Sequence, residues 1–178
     1  MDRDELITQK RQEYVNYIEE HINNVKKAWT NLISITAIQS FLAGFDNSRQ
    51  LIAITADNVN VHDESKYSDE EFEPYRRHFH SVSEKEKEES TFDFGIAWQH
   101  HKDNNKHHWD YWSERHIVND MPWQYVVEMF CDHAAMSIKF GGTALEWFNE
   151  QLANKKIEVG EIQKTSYLKL AKLYYDKY

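Results

Sequence analysis

Apolar residues at Tyr14, Ile18, Ile22, Val25, Ala28, Trp29 and Leu32 fall at helical spacing, with no glycine or proline between them. That places them on one face of a helix and leaves Arg11, Glu19 and Lys26 for water. The rest of the chain keeps the same habit. Only 5 Gly and 2 Pro occur in 178 residues, poor material for a turn-rich β fold and good material for long helices. An all-α fold is expected, as a single compact helical bundle over residues 1–178.

The first helix runs from about Asp4 to Trp29, and a nearly uncharged stretch (Leu32, Ile33, Ile35, Ile38, Phe41, Leu42) continues it or forms a second helix ending near Gly44. Asp46-Asn47-Ser48 reads as a turn and N-cap for a third helix that delivers His62 and Asp63 at its end. Ser68-Asp69-Glu70-Glu71 has capping-box spacing before a short helix through Phe72, Tyr75 and Phe79. The charge run from Ser83 to Glu89 is a solvated helix start or an exposed connection. The next helix carries His100 and His101 at its end, and Lys102–Lys106 reads as a polar loop. Met121-Pro122 opens a helix that is apolar nearly all round and stops at Gly141-Gly142. Two amphipathic helices, roughly Thr143–Asn154 and Val159–Tyr175, close the chain, for about seven or eight in all.

Charge and cysteine content narrow the function. A formal net charge of −9 argues against broad duplex nucleic-acid binding, which needs many Lys and Arg facing phosphates. It leaves room for a small anionic substrate, because bound divalent cations reverse the local sign. The lone Cys131 cannot form an intramolecular disulfide, no basic-then-apolar leader opens the chain, and no apolar run reaches membrane-spanning length. A soluble cytoplasmic protein is expected.

The chemistry centres on Val61-His62-Asp63-Glu64-Ser65-Lys66, where adjacent imidazole and carboxylate can serve one ion and Lys66 can reach an anion bound to it. His21 lies upstream, on the apolar stripe between Ile18 and Val25; a buried histidine with one hydrogen bond is the plainer explanation for it alone. Asp132 stands in the most apolar helix, where a carboxylate needs a cation: Lys139, Arg115 or a coordinated ion. His100-His101 and His107-His108 bracket a five-residue loop. Adjacent helical residues point about 100° apart, so one member of each doublet is expected to ligate and the other to sit behind it or bind phosphate. Either member fits; we favour His101 and His108 as ligands, leaving His100 and His107 for the other role. His78, His80, His116 and His133 read as surface or local partners. Trp98, Trp109, Tyr111 and Trp112 read as core, with stacking on a base as the alternative.

The order His21…His62-Asp63…His101…His108…Asp132 resembles the HD-domain superfamily of metal-dependent phosphohydrolases, whose pattern is a lone His, a His-Asp doublet, often two intervening His, and a final Asp. His62-Asp63-Glu64-Ser65-Lys66 is similar to that family's His-Asp-x-x-Lys. Trp98-Gln99-His100-His101 with Asn105-Lys106-His107-His108-Trp109 resembles a small phage and bacterial branch of unknown function. The resemblance spans residues 21–132 and departs from many dinuclear members in its close histidine doublets.

The resemblance implies an HD-type bundle with His21, His62, Asp63 and Asp132 around one ion. Asp63 would bridge to a second ion held by His101 and His108. One or two divalent transition metals (Mn, Fe, Co, Ni or Zn) suit mixed imidazole and carboxylate ligands. They would generate hydroxide near neutral pH and neutralise charge on phosphoryl oxygens. Asp63 and Lys66 would then be the catalytic pair, acting on a nucleotide or another small phosphorylated molecule. The alternatives are an HD-type di-iron oxygenase and a non-catalytic, metal-stabilised helical interaction protein.

Overall fold

The computed structural model describes residues 2–178. Among these residues the regular structure is entirely helical: α1 (Arg3–Ser34), α2 (Thr36–Leu42), α3 (Ser48–Asn60), α4 (Phe72–Phe79), α5 (Glu84–Glu89), α6 (Thr91–Asn104), α7 (Trp109–Ser113), α8 (Trp123–Phe140), α9 (Ala144–Ala153) and α10 (Glu161–Tyr175), with 3₁₀ turns at Glu64–Tyr67 and Val118–Asp120. No described helix is long and apolar enough to cross a membrane.

The all-α expectation holds, and the expected helix number is too low. The helices not counted are short. At Ile35 the backbone turns extended (φ −87, ψ 113), separating α1 from α2. The Gln39 side chain donates to the Ile33 carbonyl at 2.7 Å, satisfying an acceptor that the broken helix leaves open. The charge run forms α5, capped by Ser83, whose Oγ accepts the Glu86 N–H at 3.2 Å.

Two compact units gather from non-contiguous segments. One comprises the chain up to Ile22 with Asp63–Asn105, and the other Asn23–His62 with Lys106–Tyr178. In the first, α4 packs against α5 and α6. Its core is Tyr14, Ile18, Tyr75 and Ala97, closed over by Tyr17, Ile22, Phe72, Phe94 and Trp98. One buried charge belongs to this unit's frame. Arg76 donates to both carboxylate oxygens of Glu86 (3.1 and 3.0 Å) and to Glu73 (3.0 Å). The charge run thus supplies the counter-ion that lets α4 bury a guanidinium.

In the second unit α8 packs against α3, α9 and α10, as its all-round apolar sequence requires. Val25, Leu32, Ile38, Val126, Phe130, Phe148, Tyr167 and Leu170 form the heart of its core, and Phe148 stacks on Tyr167 with ring centroids 3.9 Å apart. Trp112 is buried there, with Trp109 and Tyr111 packed on the same core. Gly141 and Gly142 end α8 at φ 84 and φ 74, backbone that an L side chain resists. Thr143 and Glu146 then form a complete capping box on α9.

Candidate metal centre

In the first unit the site grows from a strained turn. Asp63 follows the end of α3 with φ 58, a left-handed conformation that Asp tolerates better than most residues at a cost of roughly 1 kcal/mol. The turn buries its carboxylate, which is 1% exposed. His21 Nε2, from α1, lies 3.4 Å from Asp63 Oδ2, and His101 Nε2, from α6, lies 3.3 Å from Oδ1. The Lys66 Nζ donates to Oδ2 at 2.6 Å. His101 is held from its other side: Nδ1 donates to Glu71 Oε2 at 2.8 Å, while His100 Nδ1 donates to Glu71 Oε1 at 2.7 Å. Burial alone would raise the Glu71 carboxyl, but hydrogen bonds from His101 and His100 outweigh it and leave its pKa lowered. Glu71 is therefore an ionised acceptor, which assigns the Nδ1 protons to the two rings. Tyr17 stacks parallel to His21, and Trp98 covers His101.

The second unit repeats the device on other elements. Glu128 and Asp132 are one turn apart on α8 and share a face. His62 Nδ1 donates to Glu128 Oε1 at 3.0 Å, His107 Nδ1 lies 3.0 Å from the same oxygen, and Asn58 of α3 donates to Oε2 at 3.0 Å. Burial pushes the Glu128 carboxyl up, yet the paired histidines, His107 foremost, bring it down to about 2. The opposite nitrogens face Asp132: His62 Nε2 is 3.9 Å from Oδ1 and His107 Nε2 is 3.9 Å from Oδ2. The two imidazole rings lie 4.4 Å apart, tilted by 30°. The next residue along α8, His133, bonds to the Tyr167 hydroxyl at 2.8 Å, and burial lowers its pKa to about 4.

Where Nδ1 carries the proton toward a glutamate, as at His62 and His101, Nε2 is an acceptor, and it faces a carboxylate oxygen, also an acceptor. That arrangement calls for positive charge between them, either a second proton on each ring or a shared cation. Atoms bound to one ion at ~2.0–2.2 Å lie about 3 to 4 Å from each other, the range found here. These buried His, Asp and Glu clusters could hold a metal ion; in the second unit His62, His107 and Glu128 bring ligand atoms within 4.8 Å of one another.

Of the residues singled out in the sequence, His21, Asp63, Lys66, His100 and His101 gather in the first unit, and His62, His107 and Asp132 in the second. The structure sets His107 against Glu128 and Asp132, and the His108 ring lies beside His107 at 4.3 Å. His62 and Asp63 lie past the last residue of α3, not on it. Lys102 to Asn104 belong to α6, and Lys102 is buried over Trp98 rather than looped into solvent.

Glu71 and Glu128 escape sequence reasoning. The first is hidden inside a plausible capping box, which does not form because its carboxylate serves histidines and α4 begins only at Phe72. The second left a trace: another carboxylate exactly one turn before Asp132 in an otherwise apolar helix is a pair needing a common explanation.

The fold and these clusters define an all-helical protein that buries imidazoles between carboxylates. The chain belongs to a family of unknown function (DUF5662), whose model matches residues 10–171. No curated protein and no solved structure matches it.

Proposed function

We propose that this protein is an HD-type, metal-dependent phosphohydrolase of the cytoplasm, acting on a nucleotide or related phosphate ester. The observation that supports this most is acceptor facing acceptor: His101 Nε2 against Asp63 at 3.3 Å, and His62 and His107 Nε2 against the two oxygens of Asp132 at 3.9 Å. Histidine and carboxylate together suit Mn, Fe, Co, Ni or Zn better than Mg. His21, Asp63 and His101 would serve one cluster, and His62, His107 and Asp132 the other, with His107 in the role expected of His108. A divalent ion held there supplies Lewis acidity and hydroxide near neutral pH.

The chain's own residues do the rest. Asp63, fixed by its turn, presents both oxygens in a single orientation. Lys66, now at 2.6 Å from Asp63 Oδ2, carries the positive charge for a phosphoryl oxygen of the substrate. His100 is about one-third exposed while its Nδ1 is held by Glu71, which leaves the ring's outer edge for a phosphate.

The test is metal analysis of the purified protein followed by a phosphoester screen, with His62→Ala and Asp63→Ala as controls. Metal content and hydrolysis should fall together in both variants. Hydrolysis unaffected by either change refutes the proposal, and tightly held iron with a dioxygen-dependent paramagnetic signal and no hydrolysis transfers the site to oxygenase chemistry.

A further inference from the structure

We propose that Glu71 and Glu128 are positioning residues: each carboxylate keeps the proton of the histidines against it on Nδ1 and so turns the Nε2 lone pairs of His101, His62 and His107 toward Asp63 and Asp132. The ion that those lone pairs would meet rests on the function proposed above. The tautomers stand on the protein alone.

A neutral imidazole carries one proton on either nitrogen, and the hydrogen bond at one decides which. Here a buried carboxylate makes that choice twice, from unrelated places in the chain. Glu71 is 0% and Glu128 4% exposed. Their side-chain partners are His100 and His101 for one, and His62, His107 and Asn58 for the other.

Where this chain pairs a carboxylate with a strong cation in its frame, as Glu86 with the buried Arg76, the carboxylate itself is only partly buried. These two are spent on imidazoles instead. The geometry also runs in one direction at both places, from glutamate to Nδ1 and from Nε2 to aspartate. Had the two glutamates been general structural acceptors, nothing would require the far nitrogens of His62, His101 and His107 all to face a second carboxylate; only His100, at the surface, has its far nitrogen on an amide, that of Asn104. A carboxylate behind a ligating histidine locks the ring's orientation and makes its other nitrogen a better donor, and its loss lowers metal affinity about 10- to 100-fold.

The experiment uses the full chain with ¹⁵N-labelled histidine rings, stripped by chelator, and reads each ring's tautomer by long-range ¹H–¹⁵N correlation. At a pH high enough to remove any second proton, the wild type should show His62, His101 and His107 protonated on Nδ1. Glu128→Ala should move His62 and His107 toward the Nε2–H form and leave His101 unchanged; Glu71→Ala should do the reverse. Affinity for Zn²⁺, measured by competition with a chromophoric chelator, should fall about 10- to 100-fold in each alanine variant. Glu128→Gln and Glu71→Gln, whose amide oxygens still accept from Nδ1, should restore the tautomers and most of the affinity.

Neutral wild-type rings protonated on Nε2 would overturn the proposal, as would a folded alanine variant with unchanged tautomers. If the alanine variants fail to fold, the wild-type spectrum and the glutamine variants decide it. Correct tautomers in a protein without hydrolytic activity would refute the proposed function and leave this inference intact.

Discussion

Replacing Glu86 by Ala should destabilise the protein by about 3 kcal/mol, a large loss for a residue in the most highly charged run of the chain. The magnitude follows from its partner. Arg76 has a side chain only 2% exposed, and Glu86 meets it with two bonds at 3.1 and 3.0 Å. Removing one member of a buried ion pair costs about 3–5 kcal/mol, because the survivor is left desolvated. Glu73 still reaches the guanidinium at 3.0 and 3.2 Å, which sets the expected loss at the lower end. Two lost charge-assisted hydrogen bonds at roughly 1.5 kcal/mol each give the same figure.

The pH dependence is a second check on the same contact. Burial would raise the Glu86 carboxyl, but its hydrogen bonds, that from Arg76 first, leave the pKa lowered. A group depressed in the folded state contributes its full stability above the unfolded value of about 4.3 and loses it as pH falls through the lower, folded value. Urea unfolding of wild type and Glu86→Ala should therefore differ by a constant amount from pH 6 to 8 and converge below about pH 4. A difference under about 1 kcal/mol at pH 7 would refute the reasoning, since that is what a solvated surface pair is worth. So would a difference that grows in acid.

Three further outcomes are expected. Phe148→Ala, which removes a fully buried ring stacked at 3.9 Å on Tyr167, should cost about 3–5 kcal/mol in urea unfolding, whereas a loss under about 1 kcal/mol would mean the core refills around it. Zn²⁺ at a hundred times its dissociation constant should stabilise the wild type by about 2.7 kcal/mol per site and raise its thermal midpoint, with a smaller rise in His62→Ala; an equal rise would exclude that ring as a ligand. Asp63→Asn, which tolerates the left-handed backbone at φ 58, should give a folded protein by circular dichroism that binds Zn²⁺ more weakly; undiminished affinity would exclude the carboxylate as a ligand.

The helices were legible because their signals are local. A stripe such as Tyr14, Ile18 and Val25 needs only its own spacing to be read, and the buried faces of α1 and α8 confirm it. The stop at Gly141-Gly142 was equally plain, since positive φ is a property of those residues themselves. The break at Ile35 was not, because it depends on a side chain from the following helix reaching back to the Ile33 carbonyl. Asp132 was legible as a carboxylate in want of a cation, and His62-Asp63 as a pair of ligand types.

What the sequence by itself determined, then, is an all-helical chain and a supply of imidazoles and carboxylates. Tertiary structure alone decided their partners. It gave Glu71 to His100 and His101 instead of to a helix cap, and set His107 on Glu128 and Asp132. The physical reason is reach. Helix formation is settled within a few residues, but a buried carboxylate is tolerable only where another element brings it a donor.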